Sequence, residues 1–143
     1  MAVEGKWIDL DVKCIIINVY SPCAIDEKRR LWAQLVQLKQ DRGCEVLCLA
    51  GDFNEVRTKE ERRGKENRVT IEQPSMREFN CFISHMEVLD IPLVWRKYTW
   101  YKPNGHAKSR LDRFLLSERG SNYVLAIANT LCKGMCPTIV HFC

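Results

Sequence analysis

Two short runs, Cys14-Ile15-Ile16-Ile17-Asn18-Val19-Tyr20 and Glu45-Val46-Leu47-Cys48-Leu49-Ala50, constrain the fold of this chain more than any other feature. Each is nearly continuous in its apolarity and rich in branched side chains, the pattern of a strand covered on both faces. Between them, Ser21-Pro22 ends the first run and Asp26 stands where it can cap a helix. Glu27 then falls in the first turn, Leu31, Leu35 and Leu38 recur on one face, and Arg42-Gly43 supplies a stop. A strand, a helix and a strand in that order predict a parallel pair joined by a right-handed crossover.

The second run leads into Gly51-Asp52-Phe53-Asn54. Glycine lets the chain turn so that Asp52 and Asn54 share one pocket at the end of a strand, where α/β proteins place their sites. A carboxylate beside a carboxamide suits general-base work on a water or hydroxyl while a phosphate or metal is held. A polar turn without chemistry has the same composition, so the four residues alone leave both readings open.

Further along, residues 57–73 are nearly all charged or polar and read as a surface loop. Ser75-Met76-Arg77-Glu78 has the form of a capping box, and Phe79, Phe82, Ile83 and Met86 follow it as a helical apolar stripe. Residues 96–101 and 109–117 read as two strands of a hairpin, with Asn104-Gly105 as the turn signal in the loop between them. Beyond Gly120 the pattern weakens to a short helix around 124–128 and a last strand at 138–140.

At 143 residues the chain is expected to be a single domain, residues 1–143, large enough to bury a core. No apolar run approaches the roughly 20 residues that a membrane-spanning helix needs. The first ten residues carry Glu4, Lys6 and Asp9 and no apolar core of a secretory signal, which predicts an intracellular protein, in nucleus or cytoplasm, with reduced thiols. Of the eight cysteines, Cys14, Cys44, Cys48 and Cys81 lie in or beside apolar segments and read as small core residues. Cys132, Cys136, His141 and Cys143 loosely suggest a zinc knuckle, but their gaps miss the paired-ligand spacing. His85 and His106 read as helix-surface and hairpin-loop residues. The net charge of +4 suits a polyanionic partner without requiring one.

Six spaced segments give the chain a family resemblance. They are Asn18-Val19-Tyr20-Ser21-Pro22, Gly51-Asp52-Phe53-Asn54-Glu55-Val56-Arg57, Glu61-Arg62-Arg63-Gly64, Asp90-Ile91-Pro92-Leu93, Tyr98-Thr99-Trp100 and Ser109-Arg110-Leu111-Asp112-Arg113-Phe114. Together, across residues 15–117, they resemble the endonuclease/exonuclease/phosphatase family, in particular the endonuclease domain of plant LINE-like (non-LTR) retrotransposons. The resemblance implies an α/β sandwich, two β-sheets flanked by helices, incomplete in this chain. It also implies Mg²⁺-dependent phosphodiester hydrolysis with DNA as partner. By the same resemblance, Asp52 orients or deprotonates the attacking water, Asn54 holds the phosphate or a metal-bound water, and Tyr20 donates to a phosphate oxygen. Asp112 matches the carboxylate that pairs with a catalytic histidine. Asp52 and Asn54 are the remaining metal-site positions, and Trp100, Arg57 and Arg110 are the expected DNA contacts, with Arg62, Arg63 and Lys65 as further candidates for the backbone.

Three pieces of the family pattern have no match. An asparagine strand and a strand ending in a metal-binding glutamate stand upstream in the family, and its Ser-Asp-His-Cys-Pro run corresponds here to Lys133-Gly134-Met135-Cys136-Pro137-Thr138. Their loss predicts a catalytically impaired remnant in which residues 14–20 lack neighbouring strands. The alternatives are a non-catalytic nucleic-acid-binding remnant and an active phosphodiesterase with substitute ligands, for which Glu55, Glu4 and His141 are the first candidates.

Overall fold

The computed structural model describes residues 1–7, 11–43, 46–64, 74–93 and 96–124. Strands β1 (Ala2–Trp7) and β2 (Val12–Tyr20) precede helix α1 (Ile25–Arg42) and strand β3 (Val46–Asp52). A single 3-10 turn at Lys59–Glu61 runs into β4 (Arg62–Arg63), and α2 (Pro74–His85) is followed by β5 (Val88–Asp90), β6 (Trp100–Tyr101), β7 (Lys108–Ser109) and β8 (Asp112–Ser117). Residues 118–124 are helical. The strands form a five-stranded sheet in the order β1-β2-β3-β8-β5 and a three-stranded sheet in the order β4-β7-β6. The described residues are thus an α/β fold with two sheets and flanking helices, an incomplete sandwich.

At its centre the fold follows the sequence pattern. β2 and β3 pair in parallel, from Cys14 opposite Val46 to Tyr20 opposite Asp52, with α1 as the connection. α1 and α2 lay their apolar sides on one face of the large sheet, where Ile15, Ile17, Val19, Leu47, Leu49 and Leu115 meet Trp32, Leu35, Phe79, Phe82, Ile83 and Met86. Trp32, Phe79 and Phe82 pack against one another, with ring centroids 5.8 Å apart for Trp32 and Phe79, 5.5 Å for Trp32 and Phe82 and 6.2 Å for Phe79 and Phe82. Such aromatic pairs contribute about 0.5–1.5 kcal/mol beyond their buried area.

Several expectations are corrected. β2 is not without neighbours, because β1 pairs with it antiparallel along its length, from Ala2 opposite Ile17 to Trp7 opposite Val12. Nor is β2 covered on both faces. Its side chains alternate, with Ile15, Ile17 and Val19 buried and Ile16, Asn18 and Tyr20 exposed. Val3, Ile16 and Leu89 lie in one row on that open face and are about half exposed, as is Phe114 in the next row. Val46 and Leu116, in contrast, are covered by the helix at 118–124, where Gly120 sits directly against them.

Asp26 does not cap α1. Ala24 is the N-cap residue, without a side-chain hydrogen bond, and Asp26 in the first turn pairs with Arg29. Ser75 is not a cap either, since α2 begins at Pro74, which is suited to a first helical position because it lacks an N–H. Glu78 instead receives two hydrogen bonds from Arg29 of α1. Residues 57–64 are not a plain solvated loop but hold a 3-10 turn, a short strand and a largely buried glutamate, while 65–73 lie outside the described residues. The expected second hairpin strand is split, because β7 belongs to the small sheet and β8 to the large one. Between them, Thr99 Oγ1 accepts from the N–H groups of Leu111 and Asp112, at 2.9 and 3.0 Å, which turns the chain from one sheet to the other. Cys81 is exposed, Cys14 is half-buried and Cys48 is buried. Burial pushes the Cys48 thiol up to about 11, so it stays protonated at neutral pH. Cys44, the tail cysteines, His141, the helix expected at 124–128 past its first residue and the strand expected at 138–140 lie outside the described residues.

Candidate functional site

The strand register brings Tyr20, Asp52 and Asp112 into one row. Tyr20 is opposite Asp52 in the parallel pair, and Asp52 is opposite Asp112 in the antiparallel pair of β3 with β8. Residues in register on neighbouring strands share a face, with Cβ atoms about 4.5–5.5 Å apart in an antiparallel pair. The row ends the open face. Tyr20 is 80% exposed, Asp112 is exposed and Asp52 is half-buried.

Backbone bonds lock these strand ends together. The Ser21 N–H donates to the Asp52 carbonyl at 2.7 Å, and the Phe53 N–H to the Leu111 carbonyl at 3.0 Å. Asn54 then turns back with φ of 48°, in the left-handed region that asparagine tolerates better than most residues. Its N–H donates to Asp52 Oδ1 at 2.7 Å, and its carboxamide Nδ2 donates to the Ser21 carbonyl at 2.6 Å. Asn54 therefore acts as a brace for the Asp52 carboxylate, and the second carboxylate of the row comes from Asp112.

That pairing of two acids is unfavourable by itself. Like charges directly opposite one another on a sheet destabilise it, and among the described residues neither Asp52 nor Asp112 has an ion-pair partner. Arg110 and Arg113, the nearest cations in sequence, turn to Glu61 and Asp90 instead. Replacing exposed Asp112 with asparagine should therefore raise stability by about 0.2–1 kcal/mol in urea titrations. A variant less stable than the parent would show that the pair is not in repulsion.

Magnesium is bound by oxygen ligands, commonly one or two carboxylates with water and phosphate oxygens completing six positions. Asp52 and Asp112 fit that minimum. Among the described residues no group of three or more His, Cys, Asp or Glu side chains is placed to hold a metal ion.

A second cluster lies among the strand ends near α2. The Arg113 side chain is wholly buried and binds Glu61 and Asp90, and Arg110 binds the same two carboxylates. Arg57 donates to Asn80 at 2.9 Å and to Asp90 at 3.4 Å. Burial works against the Glu61 charge, but hydrogen bonds from Arg113 and the Arg57 N–H, with the nearby guanidinium charges, hold its carboxyl below the usual range. Arg110 is thus engaged inside the fold, while Arg57, bonded to Asn80 and Asp90, keeps its side chain 35% exposed. Trp100 is 43% exposed on the small sheet, in register with Ser109. His85 ends α2 and His106 lies in the hairpin loop, both exposed, and Lys65 is outside the described residues.

Sequence reading missed Lys28, Asp90, Thr99 and Arg113 as builders of this region. Lys28 is a lysine on the buried side of an amphipathic helix, which is a usable signal; the others depend on partners distant in sequence. On the outer face of the small sheet, Arg63 stands directly opposite Lys108, and Tyr101 follows Lys108 in the same row. Among the described residues no carboxylate pairs with either cation, and Lys108 Nζ lies 4.9 Å from the Tyr98 ring centroid.

No protein-family model matches the chain, and no curated protein matches its sequence. Among solved structures the chain is similar to beta toxin from Staphylococcus aureus, with a TM-score of 0.48 and 12% identity. The match covers 75% of this chain and 39% of the toxin chain, so this chain spans well under half the length of that protein. A likeness at that level assigns neither a family nor an activity.

Proposed function

We propose that this chain is a partial phosphodiesterase domain of the endonuclease/exonuclease/phosphatase type, related to the endonuclease domains of LINE-like retrotransposons, and that acting alone it hydrolyses DNA poorly. The observation that carries this reading is the row Tyr20, Asp52, Asp112, two uncompensated carboxylates and a phenol in direct register at one end of the open face. Asp52 and Asp112 are the residues that would hold Mg²⁺, which when bound would supply charge neutralisation to a phosphate. Asp52, with one oxygen fixed by Asn54, would orient a water, and Tyr20 would donate to a phosphate oxygen.

The poor rate follows from the run Lys133-Gly134-Met135-Cys136-Pro137-Thr138, which does not match the Asp-His pair of the family. A single preorganised group of this kind commonly contributes about 10²–10³ in rate. Two of the substitutes are also badly placed. Glu55 is buried against Lys28. Glu4 pairs with Lys13 and Arg42 and lies in register with Ile15 and Leu47, on the helix-covered face and roughly 17 Å along the strand from Asp52.

The test is a nicking assay on supercoiled DNA with Mg²⁺ or Mn²⁺. Wild-type protein should nick no faster than Asp52→Ala, and a clearly faster wild type would overturn the impaired reading in favour of an active enzyme. The opposed cations Arg63 and Lys108 favour a second reading, a non-catalytic nucleic-acid-binding remnant, because a phosphate backbone would relieve their repulsion. In that case duplex affinity of the same preparation falls steeply with salt and Arg63→Glu abolishes it; affinity indifferent to both would sink that reading.

A further inference from the structure

The Lys28 and Glu55 side chains are each only 4% exposed and pair at 2.7 Å. Buried ion pairs of this kind add little net stability, and well-packed apolar replacements are often neutral or stabilising. The pair does more than neutralise itself. The Lys28 ammonium also donates to the Asn54 carbonyl at 2.7 Å. Asn54 is thereby held at all of its polar groups that face the turn, its N–H on Asp52, its carboxamide on Ser21 and its carbonyl on Lys28. The left-handed region is less favourable than the right-handed one even for asparagine, which tolerates it better than most residues, so these bonds help the turn persist. Glu55 in turn is fixed by the Val56 N–H at 3.2 Å, and its carbonyl accepts from Arg113 at 3.2 Å.

We infer that Lys28 is a positioning residue: charged and held in place by Glu55, it keeps the Asn54 turn left-handed, aims the Asp52 carboxylate along the row toward Asp112, and so sets the cation affinity of that pair. The inference rests on the function proposed above. It assigns to the first turn of α1 a part in the site, although Lys28 touches neither cation nor substrate.

The test uses Mn²⁺ alone as probe, read by paramagnetic broadening of the Tyr20, Asn54 and Asp112 amide signals and by the shift in thermal midpoint. Lys28→Met combined with Glu55→Leu should fold and bind Mn²⁺ about 10- to 100-fold more weakly than wild type, the range seen when an outer partner of a metal ligand is lost. Lys28→Arg, which keeps a charged donor, should restore most of the affinity. A folded double variant with wild-type affinity overturns the inference while leaving the proposed site intact. A wild type whose broadening is absent or unaffected by Asp112→Asn overturns both. Should the double variant not fold, a Mg²⁺ titration of the wild type decides: the Lys28 side-chain nitrogen signal should move with the same midpoint as the Asp112 amide, and a signal that stays still overturns the inference.

Discussion

Arg113→Met should leave the domain largely unfolded, with a loss of about 3–5 kcal/mol against the few kcal/mol that hold an ordinary small domain together. The Arg113 side chain is wholly buried, pairs with Asp90 at 2.6 Å and with Glu61, donates to the Glu55 carbonyl, and lies 5.4 Å from the Phe79 ring centroid. Removing it strands two largely buried carboxylates with only Arg110 and Arg57 to share. Exposed Arg30→Met, in α1, serves as control and should change stability by less than about 0.5 kcal/mol. Equal urea midpoints for the two variants would refute the account. The same network sets a pH dependence. Glu61 has a depressed folded pKa, so its stabilisation is present above the ordinary carboxylate value of about 4.3 and is lost as pH falls through the folded value. The wild type should therefore weaken steeply in acid, and Glu61→Gln should flatten that part of the profile.

The second large effect is expected at Gly51. Its φ is 135°, and a Cβ there would lie 2.0 Å from the Val19 carbonyl oxygen and 3.0 Å from Asn18 Oδ1. The obstacle is backbone of the paired strand, so Gly51→Ala can be accommodated only by parting β2 from β3 where the site row begins. Loss of the native circular dichroism signal, or of exchange protection at Ser21 and Gly51, is the expected result. Gly105→Ala is the comparison, since that residue also has positive φ, of 71°, but lies in the hairpin loop with nothing within 4 Å of the added carbon. It should cost about 1–2 kcal/mol at most. If both variants fold equally well, close approach at Gly51 is not what holds the strands.

What the sequence made legible was whatever depends on local pattern. The two apolar runs and the helix between them fixed the parallel pair, and strand ends in register then put Tyr20 beside Asp52 without further information. β1 was hidden because Ala-Val-Glu-Gly-Lys-Trp carries charge and glycine, as suits an edge strand, and earns its place through long-range ties such as Glu4 with Lys13 and Arg42. Glu61 was hidden for a related reason. Within a run of charges it looks solvated, but its guanidinium partners are 49 and 52 residues away, beyond the reach of any periodicity. The split of the expected hairpin strand hinges on one hydroxyl, that of Thr99, which takes two N–H groups a continuous ladder would have used. Asp112 was placed by resemblance; its lack of a cation could be seen only once Arg110 and Arg113 were found facing elsewhere.

Asp112 and Arg113 are consecutive in β8, and a strand sends consecutive side chains to opposite faces. A slip of β8 by a single residue against β3 would exchange them, burying the aspartate against α2 and setting the arginine beside Asp52. The buried guanidinium forbids that slip, since it alone can answer Glu61 and Asp90 from that position. The acidic row is therefore indexed from behind, through the sheet, by a contact that never meets solvent. Sequence drift in the hidden network would not degrade the row gradually; it would change which residue is presented there.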